Sequence, residues 1–219
     1  MTHTIKVKAS TVLFFVITGF LILAEYYQIK VMVFVLKPLL IPCILLIYHI
    51  SAKKKCYWYL LALFFAFLSN IFLLFSNSSL LLCGLVAFFF YRIATIFSVI
   101  KNGDRILILP LILASVPFFF MFSYLINLMI SADHPTFYAT IFNDVIISIF
   151  SGIGLSSYYM NDSKQNSWLL ISTLLFSFLV ILFMFENFYI SFYIFKPLSA
   201  LVFSLAQYAF LKFIIESKN

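Results

Sequence analysis

The sequence predicts an all-α fold, a polytopic membrane bundle of about eight transmembrane helices. Hydrophobic residues make up 65% of the chain and charged residues only 10%, against about 25% charged residues in soluble domains. The 30 phenylalanines and 13 tyrosines would leave large apolar patches in water, whereas lipid matches them. The 219 residues also divide into apolar runs of roughly 20 residues separated by short polar connectors.

In chain order, the apolar runs give eight helices within a single transmembrane domain that covers residues 1–219. We expect helices at residues 10–27, 31–50, 57–75, 79–100, 106–130, 136–160, 167–186 and 189–214. The connectors SAKKK, SNSS, KNGDR, SADHP and NDSKQNS contain the usual helix breakers. The last division rests on Glu186 and Asn187 alone, and without that break the count falls to seven.

The basic residues of the connectors predict that both termini are cytoplasmic. With eight crossings, ten basic residues fall on one side: Lys6, Lys8, Lys53, Lys54, Lys55, Lys101, Arg105, Lys164, Lys212 and Lys218. Lys30 alone falls on the other side. Cytoplasmic loops carry the excess of lysine and arginine, so we expect a multi-pass protein of a bacterial inner membrane.

Composition and motifs exclude several other classes. The net charge of +7 is scattered between apolar runs, so no basic nucleic-acid-binding face is expected. Cys43, Cys56 and Cys83 have no Cys-x-x-Cys spacing, and neither a metal nor another cofactor is expected. The chain has no Gly-x-Ser-x-Gly elbow or His-Glu-x-x-His helix, which argues against triad and classical metalloprotease chemistry.

A Lys-Pro-Leu phrase occurs twice inside expected helices, at Lys37 in VFVLKPLLIP and at Lys196 in YIFKPLSAL. Counted from the helix ends, Lys37, Lys196, Asp144 and Asn70 lie roughly 8–12 Å below the outer surface. Glu25 and Glu186 lie near the outer ends of their helices, and Arg92 lies deeper. Ionisable residues at membrane depth are costly and are candidates for functional sites.

We therefore expect these residues to form a polar pocket in the outer half of the bilayer. Each Lys-Pro pair would contribute an ammonium group and a helix carbonyl that the proline cannot bond. The alternatives are structural. Lys37 and Lys196 can snorkel to headgroups, Asp144 can neutralise one of them, and Asn70 can simply hold helices together. Arg92 is too deep to snorkel easily and is expected to pair with carbonyls or with Asp144.

Five segments resemble the YhhN, or lysoplasmalogenase-like, family of eight-helix membrane proteins. They are FVLKPLLIP, LALFFAFLSNIFLLF, CGLVAFFFYRIATIF, STLLFSFLV and SLAQYAFLKFI. The resemblance implies hydrolysis of the vinyl-ether bond of lysoplasmalogens by intramembrane aspartates. It places Asn70 and Val180 where the family has these aspartates, and Arg92 and Thr95 where it has a histidine and a tyrosine. Lys37, Pro38 and Gln207 are kept.

Three hypotheses follow for the function. The first is a lysolipid hydrolase, in which Asn70, Asp144 and Arg92 are the candidate catalytic residues. Lys37, Lys196, Gln207 and Glu186 would then bind the substrate. The second is a non-catalytic protein that binds a membrane lipid, a lysophospholipid, a membrane-protein partner or a second copy of itself through the same pocket. The third is a small transporter, which the paired Lys-Pro-Leu phrases support weakly because no further internal repeat is found.

The expected topology can be tested by cysteine labelling in a background without Cys43, Cys56 and Cys83. Single cysteines placed in the SNSS and SADHP connectors should react with a membrane-impermeant reagent added outside the cell, because both connectors follow an odd number of crossings. A cysteine in KNGDR serves as the control and should stay protected. Labelling of SNSS and SADHP from the cytoplasmic side alone would contradict the topology.

Overall fold

A computed structural model of the protein describes residues 2–52, 54–75, 77–189 and 192–216, with only the backbone of residues 2–4. Within these residues the chain is all helical, as the sequence predicts. The helices are α1 Thr2–Tyr26, α2 Lys30–Ser51, α3 Tyr57–Phe72, α4 Ser78–Asn102, α5 Ile108–Met129, α6 Phe137–Met160, α7 Lys164–Met184 and α8 Phe195–Glu216. A π-helix, Phe185–Tyr189, directly continues α7.

The described helices have the length and apolarity of a multi-pass membrane protein. Seven of them are long and apolar enough to cross a membrane. The exception is α3, whose 16 residues span only about 24 Å. The prediction of a polytopic membrane bundle is confirmed. The cytoplasmic position of the termini stays a prediction, and Lys53 and Lys218, which contribute to it, lie outside the described residues.

Several helix boundaries differ from the expected ones for local reasons. The first helix begins about two turns before residue 10, and α3 ends at Phe72 instead of residue 75. Ser163 caps α7 by accepting a hydrogen bond from the Asn166 amide at 3.2 Å, so this helix begins inside the expected connector NDSKQNS. The last helix begins at Phe195 rather than at residue 189. Residue 189 itself belongs to the π-helix, and residues 190–191 are not described.

The helices form a ring with one helix outside it. Around the ring, each of α1, α2, α3, α4, α6, α7 and α8 contacts the next, and α8 contacts α1. Helix α8 also contacts α2 and α4 and is therefore the most central element. Helix α5 packs outside, mainly on α6, and buries only Phe122 and Ile126 within its length. Leu111, Phe118, Leu125 and Met129 are partly buried against the core. The exposed apolar side chains of α5 face outward, where lipid replaces water as the solvent.

Polar side chains join the helix ends on the predicted cytoplasmic side. The carboxylate of Asp104, after α4, accepts hydrogen bonds from Asn161 at 2.8 Å and from Asn166 at 3.1 Å. An ion pair of 2.8 Å between Lys164 and Glu216 links the start of α7 to the end of α8. These contacts hold the connectors together at this end of the bundle. The first group of charged residues described below lies at the opposite end.

Close packing of α5 on α6 depends on a glycine. A Cβ atom at Gly152 would clash with the Ser115 hydroxyl and would lie 2.9 Å from Ser115 Cβ and 3.0 Å from its Cα. The backbones approach this closely because Gly152 has no side chain. Among the small residues Ser148, Gly152 and Ser156 of α6, helix packing therefore explains the glycine.

We predict that Gly152→Ala lowers the free energy of unfolding by about 1–3 kcal/mol, because the added methyl group overpacks the α5–α6 contact. The measurement is thermal unfolding in detergent. Adding Ser115→Gly should recover part of the loss. Gly19→Ala is the matched control, since nothing lies within 4 Å of a Cβ placed there. Equal destabilisation by Gly152→Ala and Gly19→Ala would contradict this packing.

Candidate functional site

Five of the seven predicted site residues fall into two groups, of which the first lies at the predicted outer end of the bundle. Lys37 of α2 forms an ion pair with Glu25 of α1, with 3.7 Å between Nζ and Oε1. The Glu25 side chain is 8% exposed and the Lys37 side chain 31%, so lipid and water reach the lysine more than the acid. A partly buried pair is screened less than a surface pair.

The π-helix adds a second carboxylate to this pair. Glu186 lies in its first turn and interacts electrostatically with Lys37, Lys196 and Glu25. Glu186 thus lies within electrostatic range of one acid and two bases from α1, α2 and α8, and we call these four residues the four-charge cluster. Among them, Glu25 and Lys37 form the one ion pair within 4.0 Å in the described chain. Single-turn π-helices widen a helix locally and are frequent at functional sites.

The two Lys-Pro phrases are not equivalent in the structure. Pro38 lies inside α2, seven to eight residues from its start, as expected. Pro197 lies in the first turn of α8, where the amide would have no helical acceptor in any case. The expectation that Pro197 frees a carbonyl in the helix interior is wrong, and so is the expected depth of Lys196. Lys196 is exposed at the helix start.

Tyrosines lie beside the four-charge cluster. Tyr26 follows Glu25, and its ring contacts the rings of Tyr27 at 5.3 Å and Tyr193 at 6.0 Å between centroids. All three rings are exposed. Exposed tyrosines at helix ends are typical of the membrane–water interface. The four-charge cluster therefore has the aromatic neighbours expected at a membrane–water interface.

The second group is the α4–α6 polar site, formed by Arg92, Asn143 and Asp144. Arg92 is 3% exposed and Asp144 is also 3% exposed. Arg92 Nη1 donates to the Asn143 carbonyl oxygen at 3.1 Å, and the guanidinium lies 4.6 Å from the Phe88 ring centroid. Its side chain thus runs back towards the start of α4, which is the direction that helix geometry favours. The expected pairing of Arg92 with a carbonyl is present.

Asp144 interacts electrostatically with Arg92. The two groups are nevertheless not among the ion pairs within 4.0 Å in the described part of the chain. Neither carboxylate oxygen of Asp144 has a hydrogen-bond partner there. Asn143, which the sequence analysis did not single out, connects the helices by donating to the Leu85 carbonyl oxygen at 3.0 Å. The tandem Asn-Asp in an apolar helix was the available signal.

Gln207 and Asn70 lie elsewhere in the interior. Gln207 of α8 donates to the Tyr91 hydroxyl of α4 at 3.1 Å, and both residues are buried. Asn70 of α3 is buried, and its amide nitrogen has no hydrogen-bond partner among the described residues. Val180 of α7 is also buried, so the two positions that the resemblance places at the family aspartates both face the protein interior.

The structure thus brings Lys37, Lys196 and Glu186 together and gives Asp144 a different partner. Across the described residues, no hydrogen bond or ion pair joins Asn70 or Asp144 to the four-charge cluster. A single pocket containing all of these residues stays a prediction. No three His, Cys, Asp or Glu side chains of the described chain are arranged to hold a metal ion.

We predict that Arg92→Met destabilises the protein by about 3–5 kcal/mol, because it leaves the buried Asp144 carboxylate without a compensating charge. The measurement is thermal unfolding in lipid nanodiscs. The double variant Arg92→Met with Asp144→Leu should be more stable than Arg92→Met alone, since both charges are then removed. Additive losses from the two substitutions would show that the charges do not interact.

The chain was compared with known proteins and protein families. The sequence profile of the YhhN family matches residues 32–214. No curated protein and no solved structure matches the chain. The matched range runs from the start of α2 to the end of α8. It includes the α4–α6 polar site and every residue of the four-charge cluster except Glu25. Because the match covers most of its length, this chain belongs to the YhhN family.

Proposed function

We propose that this protein binds lysophospholipids from the outer leaflet and has lost the vinyl-ether hydrolysis implied by its family resemblance. The observation that carries the proposal is the four-charge cluster, in which two lysines and two glutamates lie near one another at one end of the bundle. Charged side chains gathered from four separate helical elements are costly at a membrane boundary unless they pair with one another or with a ligand.

The cluster complements a zwitterionic headgroup. Lys37 and Lys196 supply ammonium groups for the phosphate, and Glu25 and Glu186 supply carboxylates for an amine. The net charge of the cluster is zero, which favours a ligand that carries both charges over a simple anion. Lys196 is exposed and can reach a lipid headgroup, while Lys37 is partly covered and already oriented by Glu25.

The side chains at two positions support the loss of the family reaction. Hydrolysis of a vinyl ether needs an acid that protonates carbon and a base that activates water. Asn70 cannot perform either step at ordinary pH, and Val180 carries no polar group. Both side chains are buried, so the inward-facing positions are retained without the carboxylates. Gln207, a candidate substrate-binding residue, already donates a hydrogen bond to the Tyr91 hydroxyl.

A hydrolase that uses Asp144 is the second candidate. The observation in its favour is that Asp144 is buried beside Arg92 with both carboxylate oxygens free of hydrogen-bond partners. An unsolvated carboxylate in such surroundings is a candidate general acid or base. In this alternative Asp144 would transfer the proton, and the positive charge of Arg92 would stabilise the ionised form of Asp144.

The binding proposal predicts that purified protein retains lysophospholipid. The double variant Lys37→Ala with Lys196→Ala should retain at least about 10-fold less, because charge-assisted contacts to phosphate contribute about 1.5–3 kcal/mol each. Bound lipid is measured by native mass spectrometry after detergent washing. The matched control is Lys30→Ala, an exposed lysine at the start of the same helix as Lys37. An equal loss for Lys30→Ala, or no loss for the double variant, would contradict the proposed site.

Because we propose that the family reaction is lost, we predict no measurable aldehyde release when the detergent-solubilised protein is incubated with a lysoplasmalogen. General acid–base assistance contributes about 10²- to 10⁴-fold per group, so losing two groups leaves a very slow reaction. Asn70→Asp together with Val180→Asp should increase the rate. Asn70→Leu with Val180→Leu is the control for altered packing. Robust turnover by the unaltered protein that disappears in Asp144→Asn would instead establish the second candidate.

A further inference from the structure

The α4–α6 polar site leaves a defined set of hydrogen-bonding atoms unused. Arg92 Nε, Asn143 Oδ1 and both carboxylate oxygens of Asp144 are buried and have no partner among the described residues. Two neighbouring side-chain atoms already have partners. Arg92 Nη1 bonds the Asn143 carbonyl, and Asn143 Nδ2 bonds the carbonyl oxygens of Leu85 and Ala139. One donor and three acceptors are therefore available from three neighbouring side chains.

These atoms belong to one place in the fold. Asn143 and Asp144 are consecutive in α6, and Arg92 reaches Asn143 from α4. The Asn143 amide is held at Leu85, seven residues before Arg92, so it lies on the stretch of α4 along which the arginine side chain extends. All three residues are at least nine-tenths buried, since their exposed fractions are 3–5%. The acyl chains of lipid cannot supply the missing partners.

The charge and the inventory of atoms restrict what can bind. Arg92 and Asp144 cancel each other, so neither a cation nor an anion gains net attraction. A neutral group is favoured, and it must accept one hydrogen bond while donating others. A hydroxyl group does both, whereas a carbonyl only accepts and an amine close to Arg92 would be repelled if protonated. Buried bridging waters typically make about three such bonds.

We propose that the α4–α6 polar site binds one neutral hydroxyl group, which accepts a hydrogen bond from Arg92 Nε and donates to the Asp144 carboxylate or to Asn143 Oδ1. The hydroxyl belongs either to a water molecule or to the glycerol of a lysolipid, which present the same chemistry to these side chains. The bridge explains why Arg92 and Asp144 interact without forming a direct ion pair. It is independent of lipid binding at the four-charge cluster, because it needs none of those four residues.

The test is a high-resolution experimental structure of the unaltered protein in two forms, one delipidated in detergent and one in nanodiscs containing a lysophospholipid. We expect a density peak within about 2.7–3.2 Å of Arg92 Nε and of an Asp144 or Asn143 oxygen. An isolated peak in both forms assigns the hydroxyl to water. A peak found only with the lipid, and continuous with its glycerol, assigns it to the ligand.

Two results would overturn the proposal. One is the absence of a peak in both forms, with Arg92 and Asp144 either paired directly or bonded to other protein groups. The other is a peak whose oxygen ligands and short distances identify a metal ion. Thr140 provides a control in the same maps, because its buried hydroxyl already donates to the Thr136 carbonyl oxygen of its own helix at 3.0 Å. No bridging peak of this kind is expected there.

Discussion

The structure depends on one constraint, which is that lipid offers no hydrogen bonds to the groups it surrounds. Each polar side chain between the membrane surfaces must therefore find its partner within the protein or reach the headgroups. Among the described residues, most buried serine and threonine hydroxyls meet this requirement locally by donating to a carbonyl of the preceding turn, as Thr18 and Ser98 do. Charged groups cannot be satisfied in this way, and their positions consequently organise the bundle.

The constraint separates the charges into two levels. At the helix ends, Glu25 and Glu186 approach Lys37 and Lys196, and headgroups and water can complete their contacts. Deep in the bundle, Arg92 lies near Asp144, donates to the Asn143 carbonyl oxygen and packs on the Phe88 ring. The first arrangement suits a ligand that arrives from the bilayer surface. The second suits a small neutral group, because the site is enclosed and electrically balanced.

The sequence determines the class of fold, the approximate helices and the residue types at the site, because these follow from hydropathy and from the rarity of intramembrane charge. Periodicity does not reveal how each helix is rotated. Without the contact between α4 and α6, the sequence does not show whether Asp144 lies beside Arg92 or beside a lysine. The π-helix at Glu186 was also inaccessible, since two adjacent polar residues in an apolar run indicate a helix break rather than a widened turn. Lys196 was placed too deep because the break before α8 lies later than Glu186 and Asn187 indicate.

The central claim is that four helical elements bring their charges together at one point, and a double-mutant cycle tests it most directly. Lys37→Gln, Glu186→Gln and the double variant are compared by unfolding in lipid nanodiscs. The account predicts a coupling free energy of about 0.5–3 kcal/mol between the two positions, and none when Lys30→Gln replaces Lys37→Gln. Additive effects at Lys37 and Glu186 would show that these charges do not meet, and the proposed headgroup site would then have no basis.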